Sequence, residues 1–264
     1  MIKGLARYET AYAMTCGSSM LTQASSKKER LLPNDEFSLT WRADPSPTYR
    51  CGLAQHHNMP KLKLSYFDFH GGRAEPVRLA LHIGGIAFED HRFTHAEFAE
   101  VRKTTPFGQV PTLTVDDIMV TQSDAMLRYA GKLAGLYPTD PFQALLCDEV
   151  AYVVEEASMK LGPTFRMTGD AQKEARLALV NGSMPVYLAL LQKRLLANGG
   201  EYFADQRLTV ADLKVFVDVR GLNSGRLDHV PSDLVEQVAP ALNAHQQRVS
   251  QHPAVVQYYA KFSK

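Results

Sequence analysis

Every strand-like stretch in this sequence lies between residues 61 and 121, and everything after residue 141 is patterned for helix. Strands must find hydrogen-bonding partners, so all of them must pair with one another inside that one short segment. Leu62, Leu64 and Tyr66 alternate with Lys61, Lys63 and Ser65, the period of a half-buried strand. Gly71–Gly72 breaks it, and Val77, Leu79, Ala80 and Leu81 then fall at helical spacing over 75–82. Residues 88–93 read as a short strand, and 96–103 as a short helix stopped by Thr104–Thr105–Pro106. Residues 112–115 and 118–121 flank Asp116–Asp117, a two-residue hairpin turn. Ser123 then caps a helix running to 133. The order predicts a small mixed sheet with helices packed on it.

Beyond the linker 135–141, helices are expected over 143–161, 171–197, 210–222 and 234–249, with a C-terminal turn over 254–262. Their apolar faces must pack on one another and on the first domain. Pro185 falls inside the second of these helices and is expected to kink it. The fold class is therefore α/β plus all-α, with domains at 61–138 and 139–264.

Residues 1–60 read differently. The stretch 22–28 is polar, Asp44–Pro45–Ser46–Pro47 is loop chemistry, and no apolar period persists, so a disordered extension is expected. Lys3, Arg7 and several Ser and Thr, with Glu9 the one acid before Glu29, keep an organelle-targeting segment as the alternative. Met59, just before the ordered pattern, offers itself as a second start. A formal net charge of +1 gives no general attraction to nucleic acid or to an anionic membrane. No apolar run approaches the roughly 20 residues of a spanning helix. Cys16, Cys51 and Cys147 are odd in number and scattered, which argues against a disulfide framework and for a reducing, cytoplasmic setting. Walker A and Rossmann glycine patterns are absent, and the nine histidines make no metal-ligand spacing, so no metal is expected.

Five short motifs occur in order. They are Lys63–Leu64–Ser65–Tyr66–Phe67, Gly72–Arg73–Ala74–Glu75, Pro106–Phe107–Gly108–Gln109–Val110–Pro111, Gln122–Ser123 and Leu208–Thr209–Val210–Ala211–Asp212. With Pro185, this series over 61–264 resembles the cytosolic glutathione transferases, and within them the sigma class that includes haematopoietic prostaglandin D synthases. The resemblance implies a thioredoxin-like glutathione-binding domain followed by an all-helical one, with glutathione as co-substrate and a homodimeric assembly. A redox role of the thioredoxin kind is unsupported, because no Cys-x-x-Cys is present.

The same resemblance implies roles residue by residue. Tyr66 would activate the glutathione thiol. A free thiol has a pKa of about 8.5, so only a few per cent is thiolate at neutral pH. A phenol donating a hydrogen bond to the sulfur anion stabilises the reactive form selectively. Related classes use Ser or Cys just after the first strand, and 67–76 contains neither. Ser65 points to the other face of the strand. Arg73 would support the thiolate with its charge, or pair with Glu75 or another carboxylate. The loop Asp68–Phe69–His70–Gly71–Gly72 is one residue longer than the sigma pattern, and His70 is read as a substrate contact or as a solvated loop residue.

Val110–Pro111 is expected to be cis and to offer the Val110 backbone to the cysteinyl part of the peptide. Gln122 and Ser123 open a helix whose free N–H groups would receive the γ-glutamyl carboxylate. Gln109 and Arg102 match positions reaching the glycyl end, and Phe98 stands where many sigma members carry tryptophan. Glu155 and Glu156 lie where paired acids would face the partner subunit, with Glu156 near the γ-glutamyl amine. Thr209 and Asp212 form a capping box serving folding.

The implied reaction is attack of the thiolate on a small electrophile. A glutathione-dependent prostanoid isomerase and a non-catalytic protein of the same fold, as among lens crystallins, are the alternatives. The electrophile pocket is expected between 67–70, 158–161 and the C-terminal segment.

Overall fold

The computed structural model describes residues 59–262, so the readings of 1–58 lie outside the described residues. Strand β1 (Leu62–Phe67) is central in a four-stranded sheet of order β2-β1-β3-β4, with β2 Glu89–Phe93, β3 Thr112–Val115 and β4 Ile118–Val120. β1 runs parallel to β2 and antiparallel to β3, while β3 and β4 form the expected hairpin. This is the thioredoxin-like arrangement. The alternation in β1 predicted a strand with one solvated face, yet Leu64, Ser65 and Tyr66 are consecutively buried. A central strand in a sheet covered on both sides has no solvent face, and Ser65 meets the need for a partner with His91 Nδ1 at 3.2 Å.

Helix α1 (Glu75–Ile83) crosses from β1 to β2 and is buried along most of its length, including its two charged residues. The Arg78 guanidinium donates to Asp90 Oδ1 at 2.9 Å, to Glu75 Oε2 at 3.2 Å and to the Phe69 carbonyl at 3.1 Å. A guanidinium buried without such partners would be strongly destabilising. Satisfied as it is, it pins the loop after β1 to the helix that follows. Helix α2 (Phe98–Val101) is shorter than the segment predicted, because its last turn tightens into 3₁₀ geometry at Arg102–Thr104.

Helix α3 (Ser123–Leu133) corrects the reading of Ser123 as its cap: Gln122 takes the cap position, at φ 74° and ψ 102°, and Ser123 is the first helical residue. Helix α4 (Pro141–Leu161) starts earlier than its apolar pattern suggests, since Asp140 Oδ1 accepts from the backbone N–H of Phe142 and Gln143 at 3.1 and 2.9 Å.

The continuous helix expected over 171–197 is two helices, α5 (Gly169–Val180) and α6 (Ser183–Ala197), separated at Asn181–Gly182. Pro185 therefore kinks nothing. It sits in the first turn of α6, where a missing N–H costs no helical hydrogen bond. Helix α7 (Val210–Leu222) is nearly all buried, against α1, α4 and the later helices. The segment 234–249 is likewise split, into α8 (Leu234–Val238) and α9 (Pro240–Ser250), because Pro240 disfavours helical backbone at Ala239, which stands at φ −143°. Helix α10 (Pro253–Ala260) closes the described chain.

The capping box at α7 is present: Asp212 Oδ2 accepts from the Thr209 backbone N–H at 2.8 Å and from the Thr209 hydroxyl at 2.7 Å. Its other oxygen accepts from the Phe203 backbone N–H at 3.0 Å and faces His245 Nε2 at 2.9 Å. A Cβ on Gly131 would stand 2.5 Å from Val210 Cγ1, so only glycine lets α3 approach the start of α7 this closely. The helical part is thereby docked on the sheet part by backbone proximity as well as by apolar packing.

Candidate active site

Tyr66 lies near the C-terminal end of β1 and is 7% exposed. The backbone N–H of Arg73 is directed at its hydroxyl oxygen. Burial pushes the Tyr66 pKa above the ordinary phenol range, despite the opposing effects of the Arg73 N–H and of the Arg73 and Arg78 charges; Glu155 adds to the rise. The phenol is therefore held protonated, as a hydrogen-bond donor and not as a phenolate base. Gly72 makes this contact possible. It sits at φ +64°, and a Cβ there would lie 3.0 Å from the Tyr66 hydroxyl and 2.9 Å from Phe69 Cζ.

Arg73 pairs not with Glu75 but with another carboxylate, one of the alternatives expected from the sequence. Its Nε donates to Glu155 Oε1 on α4 at 2.7 Å. Glu155 Oε2 accepts from Lys214 Nζ on α7 at 2.9 Å, and the same ammonium donates to Asp124 Oδ1 on α3 at 2.5 Å. Arg73, Glu155, Lys214 and Asp124 thus form a chain of alternating charge. Burial raises the Glu155 carboxyl, but Lys214 and Arg73 outweigh it and hold the pKa below the usual range. At Asp124 burial wins over Lys214, and the carboxyl sits above its usual range. The chain ends one residue after Ser123, at the N-terminus of α3, where Ser123 is buried and Gln122 exposed.

The Val110–Pro111 bond is cis. Because Thr112 pairs with Ser65 across the antiparallel ladder, Pro111 continues that register alongside Tyr66. Pro111 is buried, Val110 half-buried, and Gln109 and Arg102 are exposed. The Arg102 guanidinium lies over the Phe98 ring, 5.7 Å from its centroid. Phe98 itself packs in an aromatic cluster, edge-on to Phe67 at 5.1 Å and parallel to Phe93 at 6.4 Å. Tyr66, Arg73, Pro111 and the Gln122–Ser123 helix start are therefore joined by register and hydrogen bonds. Glu156 stands apart from the charge chain: its Oε1 accepts from the Tyr187 hydroxyl at 2.5 Å.

His70 is half-buried. Its Nδ1 lies 3.5 Å from Glu75 Oε1, its ring packs at a tilt against Phe262 with centroids 4.1 Å apart, and burial lowers its pKa. In the expected electrophile region, the Ser158 hydroxyl donates to Asp218 Oδ1 at 3.3 Å. Burial pushes the Asp218 carboxyl up to about 6, with Ser158 and Lys214 opposing and Glu155 adding. These two line a cleft with Leu161, Met184, Tyr187 and Leu188.

Sequence reasoning missed Lys214 and Asp124. One signal was available: Lys214 is a cation in the interior of the run Val210–Leu222, which has apolar residues on all sides, whereas the other cation, Arg220, stands in the last turn. A charge placed there must be paired or exposed.

The sequence profile of the glutathione S-transferase N-terminal domain matches residues 62–132, and that of the C-terminal domain matches residues 158–262. The chain is 34% identical over 161 residues to glutathione S-transferase 1 of Ascaris suum, covering 60% of this chain and 78% of that protein. It is 32% identical over 206 residues to hematopoietic prostaglandin D synthase of Gallus gallus, covering 78% of this chain and 98% of that protein. Among solved structures, the sigma class transferase of Fasciola hepatica superposes with a TM-score of 0.68 at 26% identity, covering 78% of this chain and 99% of that one.

Proposed function

The chain belongs to the glutathione S-transferase family, with sigma-class transferases and prostaglandin D synthases among the proteins it resembles, and from that premise we propose that it conjugates glutathione to small electrophiles through a thiolate stabilised by Tyr66. The observation that carries this reading is the buried, protonated Tyr66 hydroxyl with the Arg73 N–H directed at its oxygen. With the Arg73 N–H directed at its oxygen, the hydroxyl keeps its own proton to donate. A sulfur placed opposite would receive that donor, and the anion gains more from it than the neutral thiol does. The thiol proton leaves to solvent, and the thiolate adds to an activated alkene, opens an epoxide or displaces halide from an aryl ring.

In this reading the Gln122–Ser123 helix start receives the γ-glutamyl carboxylate, and the Val110 backbone pairs with the cysteinyl unit. Arg102 and Gln109 lie toward the glycyl end, with Phe98 as packing beneath Arg102. The protein works as a homodimer, and Glu156 lies toward the partner's bound peptide. Detoxification of electrophiles in the cytoplasm is the corresponding role; among the described residues no helix is long and apolar enough to cross a membrane.

A second reading, a glutathione-dependent prostanoid isomerase, is favoured by the similarity to the Gallus gallus protein whose name carries that activity. Purified protein assayed with glutathione against an aryl halide, an epoxide and a prostanoid endoperoxide separates the two. Turnover of the aryl halide supports conjugation, isomerisation of the endoperoxide alone supports the second reading, and no turnover of any of them overturns both.

A further inference from the structure

Lys214 is 5% exposed at its side chain, in the middle of a buried helix, and belongs to no motif that the functional reading uses. An ammonium removed from water at this depth is retained only if nearby anions compensate it. Two do so from different elements: Glu155 of α4 at 2.9 Å and Asp124 of α3 at 2.5 Å. Each of these carboxylates belongs to one end of the proposed glutathione site. Glu155 holds the Arg73 side chain at 2.7 Å, and the Arg73 backbone N–H addresses the Tyr66 hydroxyl at the thiol end. Asp124 lies in the first turn of α3, next to Ser123 at the γ-glutamyl end. The remaining charged group near the ammonium is Asp218, one turn further along α7.

We propose that Lys214 is a positioning residue for glutathione, a single buried cation that sets the thiol end and the γ-glutamyl end of the site in register with each other. The proposal rests on the reading of Tyr66 as thiol activator, and it also assigns Glu155 to the site of its own subunit. Without the ammonium, Glu155 loses its second partner, and Arg73 loses the anchor that fixes its backbone N–H on the tyrosine. At the same time Asp124 becomes an unpaired buried carboxylate beside the helix start. Both ends of the peptide would then lose preorganised contacts, so affinity and thiol acidity fall together. A purely structural lysine would lower the melting temperature and leave those two quantities alone.

The test uses the full chain with Lys214→Met and Lys214→Arg, reading glutathione affinity by calorimetry and the pKa of the bound thiol from thiolate absorbance. Lys214→Met is expected to weaken glutathione binding by about tenfold and to raise the thiol pKa by about one unit. Lys214→Arg, which keeps the cation, is expected to return most of the loss. A folded Lys214→Met protein with unchanged affinity and thiol pKa overturns the proposal, whatever its melting temperature. If Lys214→Met does not fold, the double variant Asp124→Asn, Lys214→Met removes both charges together, and the same two readings decide. Wild type and Tyr66→Phe are measured alongside. If the bound thiol is not acidified in wild type, or Tyr66→Phe leaves its pKa in place, the thiol-activation reading itself falls and takes the proposal with it. A shift in Tyr66→Phe without one in Lys214→Met overturns the lysine's role alone.

Discussion

Arg73 and Glu155 are joined by a 2.7 Å ion pair although 82 positions separate them in the chain. Arg73 lies just before the Ala74 cap of α1 in the sheet part, Glu155 lies two-thirds along α4 in the helical part, and the pair lies beside the tyrosine proposed to activate the thiol. With the Arg73 side chain 40% and the Glu155 side chain 20% exposed, the pair is modest in energy by itself. Its value lies in geometry, because it fixes the direction of the Arg73 backbone.

Tyr66→Phe is expected to lower turnover by one to three decades, about 1.4 to 4 kcal/mol of transition-state stabilisation, with little change in glutathione affinity. The hydroxyl helps the anionic sulfur selectively, so its loss raises the pKa of the bound thiol by a unit or more. Titration of thiolate absorbance checks this. Because burial keeps Tyr66 protonated, the wild-type rate should rise once with pH, through the thiol, and show no requirement for a phenolate.

Gly72→Ala and Gly85→Ala form a matched pair. Both glycines are left-handed, at φ +64° and +65°, so alanine strains either backbone by about 1 kcal/mol. At Gly85 nothing lies within 4 Å of the added carbon, whereas at Gly72 it meets Phe69 and the Tyr66 hydroxyl. Both variants should lose melting temperature, Gly72→Ala the more because of its added contacts, and a fall in kcat of about tenfold or more is expected for Gly72→Ala alone. Equal activity in the two variants would mean that the loop does not position the tyrosine.

Asp218 carries a pH signature with a definite sign. Its folded pKa, up to about 6, lies above that of an exposed aspartate. Protonation therefore favours the folded state, and the stability gained is complete below the unfolded value and lost as pH rises through 6. Asp218→Asn keeps a partner for Ser158 and removes the buried charge. The variant should melt a few degrees above wild type at pH 8, and the difference should vanish near pH 4. Thermal melts across that range decide it.

Glu156→Ala examines the shared-site idea. If Glu156 meets the γ-glutamyl amine of the neighbouring subunit, glutathione affinity should fall several-fold, about 1 kcal/mol, in a protein that still sediments as a dimer. Within its own chain the carboxylate holds the Tyr187 hydroxyl, so Tyr187→Phe is the control for that contact. An equal loss in both variants, or a monomer in sedimentation, would sink the idea.

The sheet part was readable because its signals are local. Alternation at 62–66, the helical spacing after Gly72 and the hairpin at Asp116–Asp117 each fall within a few residues and became β1, α1 and the β3–β4 pair. The breaks between α5 and α6 and between α8 and α9 were missed for a local reason too. Apolar period continues through both, and it outweighed Gly182 and Pro240, which end one helix and begin the next. Within the candidate site, Tyr66, Pro111 and Ser123 announce themselves in motifs. Lys214 does not, since its partners Glu155 and Asp124 lie 59 and 90 positions away, and no pattern along the chain states that pairing. Burial along α7 signals only that such partners must exist.

The alternating charges of Arg73, Glu155, Lys214 and Asp124 bear on how far the two halves can be treated as interchangeable modules. The chain of contacts crosses between the sheet part and the helical part twice, at Arg73–Glu155 and at Lys214–Asp124. A chimera that joins residues 59–138 to the helical half of a relative would keep Arg73 and Asp124 and discard both of the residues that join them. Apolar packing tolerates such a graft if volumes are kept, but a guanidinium and a carboxylate stripped of their counterparts do not. Two substitutions in the incoming half, restoring glutamate and lysine at positions 155 and 214, are the minimum repair for such a hybrid.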